Sequence, residues 1–189
     1  MSAQDSKLFV ISGPSGAGEG TLVTRVRERR SKLGLTVSAT TRAPRKGEVD
    51  GVNYFFLTRE EFDRRVANGE FVEWAEVHGN CYGTLVSEVT SKLASGSSLI
   101  LEIDVQGALQ VKERFPEAVL IFIKPPSLEV LRDRLVGRGT ETPETIELRM
   151  ANAADELALA DRYDDVVVND DLDRATDELV RVLDMHERI

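Results

Sequence analysis

Residues 12 to 21, which read Ser-Gly-Pro-Ser-Gly-Ala-Gly-Glu-Gly-Thr, place closely spaced glycines between an apolar run and a helical pattern. In such a strand-to-helix turn, successive backbone N–H groups converge on one point and can hold a phosphate group. Glycines suit this turn because they have no Cβ to obstruct left-handed conformations or the close approach of an anion. The candidate phosphate-binding residues are therefore Gly13, Pro14, Ser15, Gly16, Ala17, Gly18, Glu19, Gly20 and Thr21.

Glu19 is the main departure of this loop from the phosphate-binding pattern G-x-x-x-x-G-K-[ST]. Gly13 and Gly18 fit the pattern, but Glu19 stands where a lysine is expected to reach the β and γ phosphates. Gly20 stands where the pattern has a hydroxyl, and Thr21 follows one position late. Taken alone, the stretch is also compatible with a glycine-rich turn that binds no ligand, so the remaining residues must decide between the two interpretations.

A second group of polar side chains surrounds a proline-stiffened basic turn that begins at Arg42. Arg42 and Arg45 can hold a phosphate group through paired N–H donors, because a guanidinium matches the geometry of a phosphate. The hydroxyl groups of Tyr54 and Tyr82 would add further donors. The alternative is a solvated basic turn beside unrelated core tyrosines, and each residue taken alone fits that alternative.

Glu73 provides the kind of carboxylate acceptor that two adjacent N–H donors of a guanine base require. A hydroxyl such as that of Ser38 can donate to the carbonyl oxygen of the same base. Adenine would leave the Glu73 carboxylate unpaired, so a site of this kind discriminates strongly between the two purines. The sequence therefore predicts a guanine-recognising site in the middle of the chain.

Apolar runs that alternate with helical patterns must position these two groups of residues. The predicted strands lie at 7–12, 35–38, 52–56, 71–77, 98–104, 119–124 and 165–168. The predicted helices lie at 20–32, 58–68, 85–94, 106–114, 127–136 and 143–161, with a last helix from Leu172 onward. This alternation implies a doubly wound parallel sheet with ligand sites at the carboxyl ends of its strands. The short strands and polar turns between residues 35 and 84 indicate an insertion into that sheet.

Capping residues are expected to fix the ends of two helices. Thr58 and Glu61 form a capping-box signature, and Gly69 is expected to end the helix that they begin. Thr142 is the expected N-cap of a later helix, with Pro143 at its first position.

The length and charge of the chain limit the classes of protein to which it can belong. With 189 residues it suits one sizeable domain that carries an inserted subdomain. Its formal net charge of −9 argues against broad contact with nucleic acid or an anionic membrane, both of which would repel it. The basic residues from Arg25 to Lys32 fit the C-terminal end of a helix better than a nucleic-acid patch.

The number of cysteines, the spacing of the histidines and the length of the apolar runs indicate the compartment of the protein. Cys81 is the only cysteine, so no internal disulfide can form, which fits a reducing environment. His78 and His186 show no metal-ligand spacing and are expected to be surface or structural residues. The first residues are polar, and no apolar run approaches the ~20 residues that span a bilayer. We therefore expect a cytoplasmic protein.

Five segments, in this order and spacing, closely resemble the guanylate kinase family, which transfers a phosphoryl group from ATP to GMP. They are SATTRAPRKGEVDGVNYFF, FVEWAEVHGNCYGT, LEIDVQG, GRGTET and VVVNDDL. The resemblance covers essentially the whole chain. It implies an α/β fold with a doubly wound parallel sheet of the P-loop nucleoside monophosphate kinase type.

The resemblance also assigns roles to individual residues. It implies that the guanine base is contacted by Ser38, Glu73, Thr84 and Asp104. It implies that the GMP phosphate is bound by Arg42, Arg45, Tyr54 and Tyr82. It places around the transferring phosphoryl group the cations Arg134, Arg138 and Arg149, and it places Asn169 against the adenine of ATP.

The same resemblance divides the chain into three parts. It implies a core of residues 1–34, 96–137 and 162–189, an inserted mixed α/β GMP-binding subdomain at 35–95, and a helical lid region at 138–161. ATP and GMP are then the substrates, and Mg²⁺ arrives with ATP, held mainly by phosphates and water rather than by protein side chains. No side chain needs to act as a nucleophile, because phosphoryl transfer depends on positioning and charge neutralisation.

Glu19 leaves three interpretations open, since the family carries a lysine at this position. At ~4 Å and an effective dielectric of 20, one charge pair is worth about 4 kcal/mol, so the change from cation to anion is severe. The chain could be a guanylate kinase with impaired turnover, or an active kinase that recruits another cation, an arginine or a second Mg²⁺. It could also be a binding module that holds GMP or an acidic peptide.

Overall fold

The computed structural model describes residues 6–77, 79–137 and 142–187. Its strands are β1 (Leu8–Ser12), β2 (Gly34–Leu35), β3 (Ala39–Thr40), β4 (Phe55–Phe56), β5 (Phe71–Val77), β6 (Asn80–Leu85), β7 (Leu99–Glu102), β8 (Val119–Lys124) and β9 (Asp165–Val168). Its helices are α1 (Glu19–Arg29), α2 (Arg59–Ala67), α3 (Val86–Ala94), α4 (Val105–Arg114), α5 (Leu128–Gly137), α6 (Pro143–Leu157) and α7 (Leu172–Glu187).

A five-stranded parallel sheet in the order β2-β7-β1-β8-β9 forms the centre of the fold. All five residues of β1 are buried, as expected for a strand covered on both faces. The register aligns Ile11 with Glu102 and Ser12 with Phe122. Since the strands run in one direction, the residues that follow β1, β7 and β9 meet at one edge of the sheet. The predicted doubly wound α/β sheet is therefore confirmed.

Helices cover the two faces of this sheet, and the side chains of β1 alternate between them. Phe9 and Ile11 pack with residues of α1 and α7 in one hydrophobic cluster. Leu8 and Val10 pack with residues of α3 and α4 in another. Because each side chain meets a helix, β1 is held firmly at the point where the glycine-rich loop begins.

A second, mixed sheet has the order β4-β3-β6-β5, with β3 parallel to β4 and β6 antiparallel to both of its neighbours. It buries its own small core, in which Cys81 is fully buried with Phe62, Phe71 and Leu85. Cys81 therefore serves as a small packing residue of this core. The extra mixed sheet confirms the mixed α/β part of the predicted fold.

The predicted N-cap residues are confirmed at both helices, whereas the capping box at α2 differs from the prediction because the Glu61 carboxylate turns toward Arg65. The Thr58 side chain accepts a hydrogen bond from the backbone N–H of Glu61 at 3.1 Å. The carboxylate of Glu61 pairs with Arg65, one turn later, at 2.7 Å. Thr142 caps α6 by accepting from the N–H of Thr145 at 3.3 Å, and Pro143 is the first helical residue.

Several element boundaries differ from the prediction. The predicted strand 35–38 is wrong, because only Leu35 lies in a strand, β2 of the large sheet, and residues 36–38 connect it to β3 of the small sheet. The predicted strand 52–56 shortens to β4, since residues 51–53 form a turn. Helix α6 ends at Leu157 and a separate 3₁₀ turn follows at Ala160–Arg162. Strand β6 was not predicted, because Asn80–Leu85 has little apolar pattern of its own.

Some of the predicted residues lie outside the part of the chain that the structure describes. His78 and residues 138–141, which include Arg138, lie outside the described residues, as do residues 1–5 of the N-terminal segment. Within the described part of the chain, none of the helices combines the length and the apolar character needed to cross a membrane.

Candidate active site

The glycine-rich loop lies at the carboxyl edge of the large sheet, between β1 and α1. A Cβ at Gly13 would lie 2.3 Å from the carbonyl oxygen of Ile123, and one at Gly18 would lie 2.5 Å from the Nδ2 of Asn169. Gly18 also has a φ of 94°, in the left-handed region that favours glycine. The loop can therefore turn closely against β8 and the end of β9 only because these positions have no side chain.

Three of the predicted residues contact this loop directly. Asn169 Nδ2 donates to the Ala17 carbonyl oxygen at 2.7 Å, and Arg134 Nη1 donates to the same oxygen at 3.3 Å. Arg134 Nη2 donates to the backbone oxygen of Asn169 at 2.7 Å. From α6, Arg149 Nη1 donates to Ser15 Oγ at 2.8 Å. Two cations therefore border the predicted phosphate site, and one of them also fixes the loop backbone.

The Glu19 carboxylate folds back over the loop from the first residue of α1. One of its oxygens, Oε1, lies 3.1 Å from the position that a Cβ of Gly13 would take. Burial raises the pKa of Glu19 to about 6, with repulsion from Glu102 and Glu156 adding to the rise. Hydrogen bonds from the backbone N–H groups of Glu19 and Gly18 oppose it. The carboxylate therefore lies within the loop that the sequence assigns to phosphate.

Two acidic residues that the sequence analysis did not single out face the same region. Glu102, the last residue of β7, places Oε1 3.2 Å from the Cβ position of Gly20, and burial raises its pKa. On α6, burial and then repulsion from Asp104 raise the pKa of Glu156. The position of Glu102 at the carboxyl end of a central strand was the one sequence signal that could have identified it.

A cavity of about 370 Å³ opens beside the loop. It is lined by Gly16, Gly18, Thr21, Arg134, Asn169, Asp170 and Leu172. Small-molecule sites are typically clefts of about 300–1,000 Å³, so this cavity can hold part of a nucleotide. A larger cavity of about 620 Å³ lies beyond the other end of α1, at residues 29–33 and 96–98, and includes none of the predicted site residues.

Glu73 and Thr84 form a buried hydrogen-bonded pair on neighbouring strands. They are aligned in the β5–β6 register, and Thr84 Oγ1 donates to Glu73 Oε1 at 2.8 Å. Glu73 is only 7% exposed. Burial raises its pKa to about 6; repulsion from Asp104 adds to this effect, while the hydrogen bond from Thr84 opposes it. Within the described part of the chain, the Glu73 carboxylate is thus held by Thr84 and is not paired with a cation.

Asp104 and Ser38 complete the predicted base-contacting group. Asp104 caps α4 by accepting from the N–H of Gly107 at 3.0 Å. A Cβ at Gly107 would lie 2.9 Å from Asp104 Oδ1 and 3.3 Å from Glu73 Oε2, so both carboxyl groups border the same glycine. Ser38 immediately precedes β3, whose Ala39 pairs with Gly83 of β6. The structure therefore brings Asp104 and Glu73 together where the small sheet meets the large one, with Ser38 at the start of the neighbouring strand β3.

The predicted phosphate-binding group assembles around Arg42. Its guanidinium carbon lies 5.3 Å from the centroid of the Tyr54 ring, and the Tyr54 and Tyr82 rings are 6.2 Å apart. Arg42 Nη1 and Nη2 donate to Glu48 at 3.0 and 2.9 Å, and this pairing raises the pKa of Arg42 and lowers that of Glu48. Arg45 joins the group through its backbone N–H, which donates to Glu48 at 2.7 Å.

Tyr163 is a buried polar residue that sequence reasoning missed. Its hydroxyl shares a 2.5 Å hydrogen bond with Ser12 Oγ, directly before the glycine-rich loop. Its ring packs edge-on against Phe122 of β8, with centroids 5.0 Å apart. Burial raises the pKa of Tyr163 to about 12, so the hydroxyl stays neutral. The residue joins the segment after α6 to the end of β1.

The remaining predictions concern Arg138, His186 and a metal site. Arg138 lies outside the described residues. His186 Nε2 lies 2.6 Å from Asp165 Oδ2 and ties α7 to β9, which confirms the structural role expected for it. Across residues 6–77, 79–137 and 142–187, no three His, Cys, Asp or Glu side chains are grouped to hold a metal ion.

Comparison with known proteins gives a consistent result. Residues 5–186 match the family model described as guanylate kinase. A guanylate kinase of Gloeobacter violaceus is 56% identical over 94% of this chain and 87% of that protein. One from Halalkalibacterium halodurans is 51% identical over 97% of this chain and 90% of that protein. A crystal structure of guanylate kinase from Anaplasma phagocytophilum superimposes with a TM-score of 0.73 at 37% identity, covering 96% of this chain and 86% of that one.

Proposed function

Because this chain belongs to the guanylate kinase family, we propose that its two groups of site residues bind ATP and GMP and align them for phosphoryl transfer. The chain is a nucleoside monophosphate kinase, and its reaction is the ATP-dependent phosphorylation of GMP to GDP. The observation that best supports these proposed roles is the buried Glu73 carboxylate, which pairs with no cation among the described residues and is therefore suited to accept from a ligand with N–H donors.

We assign guanine recognition to the group around Glu73. Its free oxygen would accept from the adjacent N–H donors of the base, while Thr84 holds the other oxygen at 2.8 Å. Asp104 borders the same glycine as Glu73, and Asp104 and Ser38 would complete the contacts to the base. Adenine presents no such pair of donors, so AMP would leave Glu73 desolvated and unpaired.

We assign the phosphate of GMP to Arg42, Arg45, Tyr54 and Tyr82. A guanidinium fixed against the Tyr54 ring loses little freedom when it binds a phosphate. The group belongs to the proposed GMP-binding subdomain at residues 35–95, whose small sheet has its own hydrophobic core. That subdomain would therefore deliver GMP as a unit to the edge of the large sheet.

We assign ATP to the glycine-rich loop of residues 13–21, with Asn169 beside the adenine. The cations at the transferring phosphoryl group are Arg134 and Arg149, together with Arg138. Arg149 lies on α6, within the proposed lid region of residues 138–161, and its contact with Ser15 supports a lid that reaches the loop. Phosphoryl transfer then needs only alignment, charge neutralisation and exclusion of water.

A divalent metal accompanies the reaction in enzymes of this family, and we propose Mg²⁺ bound to ATP as part of the substrate. Mg²⁺ is commonly held by phosphate oxygens and water with few protein ligands. We also propose a cytoplasmic location. Cys81 is buried and the chain has no second cysteine with which to form an internal disulfide, so a reducing compartment suits it.

We propose that Glu19 reduces turnover by weakening the hold on ATP. An ionised carboxylate in the loop opposes the β and γ phosphates, whereas the expected lysine would attract them. The rise in the pKa of Glu19 to about 6 leaves it mainly ionised at pH 8, where the repulsion is fully present.

The decisive experiment measures GDP formation from ATP and GMP at pH 8, with AMP as the alternative acceptor. We expect GMP to be phosphorylated and AMP not. Glu19→Lys should raise kcat/KM for ATP by at least roughly tenfold, since about 1.4 kcal/mol gives that factor. GMP affinity should be the same in both proteins. Equal turnover of the two would refute the electrostatic argument, and GMP binding without phosphorylation by either would favour a binding module.

A further inference from the structure

The Glu19 carboxylate already lies within the phosphate loop in the free chain. Its Oε1 lies 3.1 Å from the position that a Cβ of Gly13 would take, on the opposite arm of the loop. A loop of this kind binds anions through converging N–H groups. An ionised Glu19 is thus an internal anion within the site for which the triphosphate competes.

The charges that act on Glu19 make an ionised state still less favourable once ATP arrives. The acidic groups that face it are Glu102 from β7 and Glu156 from α6. The nearby cations contact other loop positions, Arg134 from α5 at Ala17 and Arg149 from α6 at Ser15. Burial and these carboxylates raise the pKa of Glu19 to about 6, and phosphates added beside it must raise that pKa further.

We propose that Glu19 enters the ATP complex as the neutral carboxylic acid, so that ATP binding by this chain takes up one proton from solution. The inference rests on the proposed function, because it requires the loop to receive the triphosphate. In its acid form Glu19 keeps a carbonyl oxygen that accepts from a loop N–H and gains an O–H that donates to a phosphate oxygen. A repulsive contact then becomes a hydrogen bond.

Calorimetry of ATP binding to the whole chain tests this directly. ATP with Mg²⁺ is titrated into the protein at pH 7.5 without GMP, in two buffers that differ in ionisation enthalpy. The difference in heat gives the number of protons taken up. Glu19→Gln has the same shape and cannot titrate, so it removes the contribution of Glu19 and retains those of ATP and other groups. Glu28→Gln, an exposed residue on the same helix, is the matched control.

We expect the unmodified chain to take up nearly one proton more than Glu19→Gln and to behave like Glu28→Gln. Its ATP affinity should rise about tenfold per pH unit between pH 8 and pH 7 relative to that of Glu19→Gln. Equal proton uptake by the two proteins overturns the inference. If Glu19→Gln does not fold, Glu19→Lys replaces it, since an ammonium stays charged throughout this range. GMP phosphorylation without proton uptake refutes only this inference, whereas no phosphorylation refutes the proposed function.

Discussion

Glu73→Gln separates the effect of the buried carboxylate on protein stability from its proposed role in binding GMP. The pKa of this group is about 6 in the folded chain and 4.5 in an unfolded one, a difference worth about 2 kcal/mol. Because its folded pKa is raised, Glu73 contributes its full stabilisation below pH 4.5, where the carboxyl group is protonated in both states. That contribution is lost as the pH rises through 6, because the folded state then has to bury a charge. Glutamine has the same size, stays neutral, and can still accept from Thr84.

We therefore expect Glu73→Gln to raise the free energy of unfolding by about 2 kcal/mol at pH 8 and by much less at pH 5. The gain should be accompanied by a loss of GMP affinity of about 100-fold, because the amide presents a donor to the donors of guanine. Urea denaturation at the two pH values and GMP titration at pH 8 measure both effects.

Glu76→Gln is the matched control for this experiment. Glu76 lies on the same strand, its side chain is 48% exposed, and it pairs with Arg59 at 3.1 Å. Loss of an exposed ion pair changes stability by less than about 1 kcal/mol. An equal gain for Glu73→Gln at pH 5 and pH 8 would refute burial of charge as its cause. Unchanged GMP affinity would exclude Glu73 as the group that reads the base.

Two further substitutions test the loop and its support. Gly18→Ala should weaken ATP binding and leave GMP affinity unchanged, as measured in separate titrations. The reason is that a Cβ at this position would lie 2.5 Å from Asn169 Nδ2 and that the φ of residue 18 is 94°. Unchanged ATP affinity would show that the loop can move away from Asn169. Tyr163→Phe keeps the contact with Phe122 but leaves Ser12 without its 2.5 Å hydrogen-bond partner. Urea denaturation should therefore show a free energy of unfolding lower by about 1–3 kcal/mol. An unchanged free energy of unfolding would contradict a structural role for that bond.

The large sheet could be predicted from sequence because its strands have strong local signals. Strands β1 and β8 are continuous apolar runs, and every residue of β1 is buried on one face or the other. The glycine-rich loop is equally local, since its glycines follow a strand and precede a helix within ten residues. A strand or loop whose conformation is determined by its own residues can therefore be predicted from that short stretch of sequence.

The parts that were missed depend on partners that are distant in sequence. Strand β6 is defined by pairing with β3 and β5 on its two sides, which compensates for Gly83 and the polar residues within it. The bond between Ser12 and Tyr163 joins residues 151 positions apart. No spacing rule indicates such contacts before the chain is folded.

The two substrates require opposite protonation states of Glu73 and Glu19, although burial is the main cause that raises the pKa of each to about 6. GMP needs Glu73 ionised, because a carboxylic acid cannot offer two acceptors to the guanine N–H groups. ATP, on the proposal above, needs Glu19 protonated. Lowering the pH from 7.5 to 5.5 should therefore decrease kcat/KM for GMP and increase kcat/KM for ATP.

Steady-state kinetics with each substrate varied in turn distinguish this pair of effects from a general loss of structure. Glu73→Gln should flatten the GMP profile and leave the slope of the ATP profile, whereas Glu19→Gln should do the reverse. Profiles that fall together with decreasing pH would show that partial unfolding, rather than two separate carboxyl groups, controls the pH dependence. Opposed slopes would mean that the two substrate sites work best at different pH values, so that turnover of this chain peaks where neither carboxyl group is fully in its preferred state.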